Sequence, residues 1–209
     1  MAGATARPTI PEPARCETPL KPQTADPTPE ATELDRLRAE NAALRVEIER
    51  LTALADHDPL TPVLNRRAFV RELTRAMAFS RRYGAPAALL YLDLDGFKAV
   101  NDVHGHLAGD AALKRVAELL VANVRESDMV GRMGGDEFAV LLQQADLDSA
   151  RAKAVSLAET IAADPFEFQG VRVPLGGSFG VRAFDGQESA ETWLGEADAA
   201  MFVRKRSVR

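Results

Sequence analysis

The hydrophobic residues divide the chain into a polar beginning, one helix with a narrow apolar stripe, and a long region of strand and helix patterns. Residues 1–30 contain seven of the twelve prolines, among Thr, Ala and Glu. Such a composition buries too little apolar surface to offset the entropy of the chain. We predict that residues 1–30 are a disordered tail that acts as a tether.

Residues 31–56 carry the narrow stripe. Glu33 and Glu40 occupy position g of its heptads, and Arg38 and Arg45 occupy position e, so each glutamate faces an arginine of a parallel partner. A lone Asn at position a favours a two-stranded parallel register. We predict a parallel homodimeric coiled coil, because the alternative, a single amphipathic helix packed on the domain, leaves the charge match unexplained. The a and d positions are Leu34, Leu37, Asn41, Leu44, Ile48, Leu51 and Ala55.

Residues 57–209 begin with an irregular connector, because Pro59 and Pro62 cannot continue a helix. The pattern then predicts helices over about 65–82 (capped by Asn65), 111–124, 146–163 and 188–206, strands over 87–92 and 178–183, and hairpins over 132–142 and 166–173. The helical residues expected to face inward are Phe69, Leu73, Ala76, Met77, Phe79, Leu113, Val116, Ala117, Leu120, Val121, Ala154, Leu157, Ala158, Ile161, Trp193, Leu194, Met201 and Phe202.

Composition excludes several classes of function. The formal net charge is −5, so the chain lacks the basic surface that binds nucleic acid or an anionic membrane. The only cysteine, Cys16, excludes an internal disulfide and a Cys-rich zinc site. No run approaches the roughly 20 apolar residues that span a membrane. We therefore predict a cytoplasmic protein without a membrane span.

The hairpin at Gly134 and Gly135 carries the first candidate chemistry. Two glycines between apolar runs predict a tight turn. Asp136 and Glu137 follow at once, although a simple chain reversal needs no acids there. Bare backbone beside carboxylates suits a phosphate or a metal-bound phosphate. Taken alone, the stretch is equally consistent with an ordinary acidic hairpin on a solvated edge.

A second acidic group follows the predicted strand 87–92. Asp93 and Asp95 fall on one face of the strand's exit, which indicates a divalent cation, and Lys98 suits a phosphate on that cation. A solvated acidic loop is the alternative. Asn101 and Asp110, placed on two local turns, together complement the edge of guanine.

Three further groups have ordinary interpretations by themselves. His104 and His106 are typical structural residues of turns. Arg125 and Asp128 form a common solvated pair. The basic residues at the end of the last helix have two interpretations: they interact favourably with the helix C-terminus, or they bind a polyphosphate.

Taken in order, the motifs of residues 58–209 resemble the GGDEF domain of diguanylate cyclases. The resemblance implies an α+β fold whose five-stranded, mainly antiparallel sheet is wrapped by helices, akin to the palm of nucleotidyl cyclases and polymerases. The residues that carry it are Asp58-Pro59-Leu60-Thr61, Asn65-Arg66-Arg67, Asp93-Leu94-Asp95, Phe97-Lys98, Asn101-Asp102, Gly105-His106, Gly109-Asp110, Arg125, Asp128, Gly134 to Phe138, Ala197-Asp198 and Lys205.

The resemblance also implies an activity. The family joins two GTP molecules into cyclic di-GMP and releases two pyrophosphates, and each domain of a dimer contributes one GTP. Asp93, the Leu94 carbonyl and Asp136 would bind Mg²⁺, with Mn²⁺ as an alternative, and Glu137 would bind a second ion. Asp136, or a hydroxide held by the ion, would remove the proton of the 3′-OH.

The remaining implied roles concern the nucleotides. The inhibitory site for the product would comprise Arg125 and Asp128. The substrate-binding residues would be Asn101 and Asp110 for guanine with His106 nearby, Gly134 and Gly135 as room for phosphates, and Lys98, Lys205 and Arg209 for the triphosphate.

The chain departs from the family pattern at a few positions. Pro62 replaces a usual Gly in the connector, Val208 replaces a usual Gly before Arg209, and residues 176–179 are a looser version of the usual strand. Two other functions stay open. One is a receptor that binds cyclic di-GMP without catalysis. The other, compatible with either, is a scaffold that recruits a partner protein through the tail or through the stalk, the predicted coiled coil of residues 31–56.

Overall fold

The computed structural model describes residues 29–164 and 166–207. The chain divides into two compact units, one ending at Glu47 and the other beginning at Ile48. The predicted tail lies almost wholly outside the described residues, as do Val208 and Arg209. The tail and the assignment of Arg209 to the triphosphate therefore stay predictions.

A single helix, α1, runs over Pro29–Asp56. Its predicted a and d residues are largely uncovered in the single chain: Leu34, Leu37, Leu44 and Ile48 are 48% to 61% exposed. Within residues 29–164 and 166–207 no other element covers these four leucine and isoleucine side chains, so their apolar surface is exposed. Every helix in residues 29–164 and 166–207 is too short or too polar to cross a membrane.

Polar side chains of the second unit hold the end of α1. The carbonyl of Ala55 accepts hydrogen bonds from Asn65 Nδ2 at 2.7 Å and from the Arg67 guanidinium at 2.8 Å. The carboxylate of Asp56 forms a two-pronged ion pair with Arg71, at 2.7 and 3.1 Å. The bonds to Ala55 satisfy a carbonyl group that the helix leaves unpaired at its end, and the ion pair adds a charged contact to the same turn.

A five-stranded mixed sheet forms the centre of the second unit, in the order β1-β3-β4-β2-β7. Only β1 and β3 run parallel, and the other neighbours are antiparallel. The predicted five-stranded, mainly antiparallel sheet is confirmed. Its strands are β1 Leu64–Asn65, β2 Ala87–Leu94, β3 Met129–Gly134, β4 Glu137–Gln143 and β7 Gly177–Ala183, and a separate small hairpin comprises β5 Glu167–Phe168 and β6 Val171–Arg172.

After α1, the described part of the chain contains five further helices, which accompany the sheet. Asn65 caps the first by accepting the N–H of Ala68 at 3.0 Å, as predicted, and Gly84 ends it in the left-handed conformation. Asp146 caps the fourth by accepting the N–H of Ser149 at 2.8 Å. The helices are α2 Arg66–Tyr83, α3 Phe97–His104, α4 His106–Ala122, α5 Leu147–Ala163 and α6 Ala190–Ser207.

The core consists of two clusters that share strand β2. Because side chains alternate along a strand, Leu90 and Leu92 belong to one cluster, whereas Leu89 and Tyr91 belong to the other. The predicted burial of this strand on both faces is confirmed. The first cluster adds Val116 and Leu120 of α4 with Leu157 and Ile161 of α5, and the second adds Phe69 and Leu73 of α2 with Trp193 and Met201 of α6.

Two sequence predictions about this region are wrong. The stretch before Gly105 is the helix α3 rather than a turn, and it was missed because no residue of α3 is buried to give an apolar period. Phe79, Val121 and Phe202 are 47% to 58% exposed rather than inward-facing. Each follows a buried stripe residue by one or two positions, which turns it about 100° or more around the helix.

Candidate active site

The end of β2 and the start of β4 bring the predicted acids together. Asp93 stands directly opposite Glu137 in the antiparallel register. Beyond them, the N–H of Leu94 donates to the carbonyl of Asp136 at 3.3 Å. Two chain segments that are far apart in sequence therefore contribute neighbouring carboxylates and a main-chain carbonyl to one end of the sheet.

The two-glycine turn that links β3 to β4 is irregular. The register shifts between Arg132 and Gly134, and Gly135 has a φ of 53°, which residues with a side chain rarely adopt. Both glycines are exposed, and a Cβ on either would meet no atom within 4 Å. The predicted hairpin is confirmed, and its turn offers open space beside Asp136 and Glu137.

Arg132 fixes the shape of this turn. Its guanidinium donates twice to the carbonyl of Gly135, at 3.0 and 2.8 Å, and once to Asp58 in the connector, at 3.1 Å. The same Asp58 oxygen accepts the N–H and the hydroxyl of Thr61. Burial raises the pKa of Asp58, but the hydrogen bonds from Thr61 and Arg132 outweigh it and hold the pKa below its ordinary value.

Asp136 has the opposite shift. Burial raises the pKa of its half-buried carboxyl, and the negative charge of Asp93 raises that pKa further. Positive charges on Lys205 and Arg132 only partly oppose this effect. The carboxylate of Asp136 is consequently a stronger proton acceptor than an ordinary aspartate.

Lys205 reaches the acids from helix α6. It continues the inward stripe of Trp193, Ala197 and Met201 at intervals of four residues, and its ammonium contacts Asp93 and lies 3.7 Å from Asp95. A Cβ on the glycine at position 180 would collide with the backbone of α6, so this glycine permits the close approach of helix and strand.

The predicted guanine-binding pair lies on two helices. Asn101 belongs to α3 and Asp110 to α4, so the expectation that both lie on turns is wrong. A Cβ on Gly109 would collide with the side-chain amide of Asn101, which places that amide against α4 beside Asp110. The exposed side chains of Lys98, His106 and Asp110 make no hydrogen bond or ion pair within residues 29–164 and 166–207.

Arg125 and Asp128 lie elsewhere, in the turn between α4 and β3. The carboxylate of Asp128 accepts the N–H of Arg125 at 3.0 Å and the N–H of Gln143 at 3.1 Å. Among the described residues, the guanidinium of Arg125 forms no ion pair and donates no hydrogen bond. Both residues line a cavity of about 740 Å³ together with Thr52, Asp56 and Arg71.

The acids at the sheet end suit a hard divalent cation, since carboxylate and carbonyl oxygens are its preferred ligands. The negative charge of Asp93 raises the pKa of Asp136, and the ammonium of Lys205 pairs with Asp93 and lies 3.7 Å from Asp95. In the part of the chain that the structure describes, no three His, Cys, Asp or Glu side chains converge. A site here therefore needs the Leu94 carbonyl or ligand oxygens.

Comparison with protein families identifies the domain. The family model described as diguanylate cyclase, GGDEF domain, matches residues 55–209. The chain belongs to this GGDEF family. The predicted resemblance is confirmed.

A curated relative of this GGDEF domain is the diguanylate cyclase DgcP of Pseudomonas aeruginosa. It is 40% identical over 164 residues, which are 78% of this chain and 24% of DgcP. The chain thus spans about a quarter of the length of this relative.

Two solved structures share the GGDEF fold. A sensory box/GGDEF family protein from Caulobacter crescentus is 38% identical, with a TM-score of 0.69, over 73% of this chain and 99% of that one. The coiled coil and GGDEF domain of Caulobacter crescentus DgcB, in complex with c-di-GMP, is 28% identical with a TM-score of 0.77, over 85% of this chain and 95% of that one.

Sequence reasoning missed two residues that shape the GGDEF site. Arg132 was not singled out, although it stands two positions before Gly134 and is the only cation of its strand. The sequence places Tyr91 inside an apolar run, whereas in the structure its hydroxyl donates to Glu137 at 3.1 Å. A polar atom inside a buried strand needs a partner, and this rule was the available signal.

Proposed function

We propose that the GGDEF domain of this chain is a diguanylate cyclase, which joins two GTP molecules into cyclic di-GMP and releases two pyrophosphates. One observation carries the proposal: Asp93 pairs with Glu137 across adjacent strands, beside Asp136 and an exposed two-glycine turn. Carboxylates and open backbone meet at one place, as a metal-bound triphosphate requires.

The acids divide the work of metal binding and proton transfer. Asp93, the Leu94 carbonyl and Asp136 would hold Mg²⁺ or Mn²⁺, and Glu137 would hold a second ion. When bound, the metal supplies a Lewis acid and a template for the displacement. Asp136 would accept the proton of the 3′-OH of one GTP as this oxygen attacks the α-phosphorus of the other and pyrophosphate leaves.

The remaining residues bind and orient GTP. Lys98 and Lys205 neutralise the triphosphate, while Gly134 and Gly135 leave room for it. Contacts to guanine come from Asn101 and Asp110 with His106 nearby. The placement of the Asn101 amide against α4 beside Asp110 supports this pairing.

The reaction joins two GTP molecules, so it needs two domains. We propose that residues 31–56 form the parallel coiled coil that supplies the second domain, with residues 57–209 as the catalytic domain and residues 1–30 as a tail. The exposed heptad residues of α1 support this, because a partner helix would cover them. The similar DgcB structure also combines a coiled coil with a GGDEF domain.

We further propose that the product inhibits the enzyme at Arg125 and Asp128. The guanidinium of Arg125 has no partner among the described residues and borders a cavity of about 740 Å³. Guanidinium groups bind phosphate oxygens or the edge of guanine in two-pronged fashion.

Incubation of the full chain with GTP and Mg²⁺, followed by chromatography and mass spectrometry, tests the proposal. We expect cyclic di-GMP and pyrophosphate, with a rate that falls as product accumulates. A folded, dimeric protein that yields neither product would overturn the assigned activity.

A receptor that binds cyclic di-GMP without catalysis is the second candidate, and the cavity at Arg125 favours it. Such a receptor does not need Asp136 and Glu137, which this chain retains. Binding of cyclic di-GMP by a chain that turns over no GTP would decide for the receptor. A recruiting protein for the tail or the stalk is compatible with either function.

A further inference from the structure

Tyr91 is a buried residue with one polar atom, and that atom meets the candidate site. Its side chain is 6% exposed and packs in the second core cluster. The two residues directly opposite it in the sheet, Ala139 and Gly180, are small and leave room for the ring. The ring is therefore held by packing, while the hydroxyl meets a carboxylate at the end of the sheet.

The partner of this hydroxyl is Glu137. The phenol donates to Oε2 of Glu137 at 3.1 Å, and the carboxylate of Glu137 makes no other hydrogen bond or ion pair among the described residues. A phenol carries an O–H donor, whereas a charged carboxylate can only accept, so the direction of this hydrogen bond is fixed wherever the carboxylate is charged.

We infer that Tyr91 is a positioning residue, whose phenol holds one oxygen of Glu137 and leaves the other oxygen aimed beside Asp93 for a divalent cation. The inference rests on the proposed function, since it takes Glu137 as a metal ligand. Asp93 stands opposite Glu137, and Tyr91 precedes Asp93 by two residues on the same face of β2. One strand thus supplies a metal ligand and the donor that orients a second.

Partners that orient a metal ligand have a measurable effect, and removing one usually weakens metal binding by about 10- to 100-fold. Replacing Tyr91 with Phe deletes only the hydroxyl and keeps the packed ring. We expect Tyr91→Phe to weaken Mn²⁺ binding, measured by electron paramagnetic resonance with a non-hydrolysable GTP analogue, by about tenfold. The KM for GTP should change little.

A double-mutant cycle distinguishes positioning from a structural role. In a Glu137→Gln background, Tyr91→Phe should have almost no further effect on Mn²⁺ binding, because the carboxylate that it orients is absent. Tyr83→Phe is the matched control: Tyr83 is the other of the two tyrosines and is 61% exposed. This control should bind Mn²⁺ as the wild type does.

Two outcomes would overturn the inference. One is a Tyr91→Phe protein that melts at a lower temperature but binds Mn²⁺ like the wild type. The other is an effect that adds fully to that of Glu137→Gln. If the wild type forms cyclic di-GMP and either result is obtained, the inference fails alone. If the wild type binds Mn²⁺ in a Tyr91-dependent way but forms no cyclic di-GMP, the proposed function fails and the inference stands.

Discussion

The apolar residues of helix α1 and those of strand β2 differ in how far the single chain buries them. In β2, Leu89, Leu90 and Leu92 are fully buried by elements of the same chain. In α1, Leu34, Leu37 and Leu44 are about half exposed in the single chain. One chain therefore contains everything needed to form the acidic end of the sheet, whereas no described residue of that chain covers these three leucines of α1. The proposed reaction has the same division, because one chain supplies a site and only two chains supply two nucleotides.

The largest effect on activity is expected from a substitution at the acidic end of the sheet. Asp136→Asn should lower the rate of cyclic di-GMP formation by at least about a hundredfold, because the charge that faces metal and proton is lost. The variant should remain dimeric in analytical ultracentrifugation. A rate close to that of the wild type would remove Asp136 from the proposed mechanism.

A separate prediction for Asp136→Asn concerns its thermal stability. The pKa of Asp136 is raised in the folded state, so its favourable contribution is present below the ordinary pKa and is lost as the pH rises through the raised value. At pH 7 the charged carboxylate therefore opposes folding. We expect Asp136→Asn to melt at an equal or higher temperature than the wild type at pH 7, and a lower temperature would contradict the assigned shift.

The sequence predicted the secondary-structure elements that carry this site better than the long-range contacts that shape it. Alternation around Gly134 and the apolar run before Asp93 were enough to predict the hairpin and β2, because both depend on local periodicity. Strand β1 has two residues and exists only because it pairs with β3, far along the chain. The contacts of Arg132 with Asp58 and of Lys205 with Asp93 span 74 and 112 positions, so no local pattern contains them.

The next largest effect is expected from a substitution that disrupts the proposed coiled coil and leaves the acids of the sheet unchanged. Leu44→Asp places a carboxylate at position d of the proposed seam, where an unpaired charge is costly to bury. We expect a monomer at micromolar concentration and a turnover reduced by roughly a hundredfold, because the two domains must then meet by free diffusion.

Val46→Asp is the control for the stalk. Val46 is 65% exposed and stands at position f, outside the seam. Its variant should stay dimeric and fully active. Equal sedimentation of the two variants, whether both monomeric or both dimeric, would remove the basis for the heptad assignment.

A further prediction concerns product inhibition at the cavity beside Arg125. Arg125→Ala should leave the initial rate unchanged and raise the inhibition constant for added cyclic di-GMP by about tenfold or more, because a charged hydrogen-bond donor is lost. Initial rates measured at increasing product concentration check this. Arg151→Ala, which removes an arginine that is exposed on α5, should leave the inhibition constant as it is. An unchanged constant in Arg125→Ala would show that the product binds elsewhere.

The smallest effect is expected at the contact that joins the connector to the hairpin. Arg132 and Asp58 have side chains that are 15% and 14% exposed, and the planar guanidinium serves both Asp58 and the Gly135 carbonyl. A lysine ammonium cannot reach two acceptors with this geometry, so Arg132→Lys should lower the free energy of unfolding by about 1–2 kcal/mol. Turnover should fall less than in Asp136→Asn or Leu44→Asp, because the acids and the proposed coiled coil are both retained.

The pH dependence of unfolding tests whether Asp58 is the ion-pair partner of Arg132. The pKa of Asp58 is lowered in the folded state, so its stabilisation is present above the ordinary value of 3.8 and is lost as the pH falls through the lower, folded value. Urea unfolding at pH 7 and at pH 3 should therefore show a larger loss of stability on acidification in the wild type than in Arg132→Lys. Asp58→Asn should reduce this acid-dependent loss in the same way. If acidification destabilises all three proteins equally, the ion pair between Arg132 and Asp58 does not link the connector to the two-glycine turn in solution.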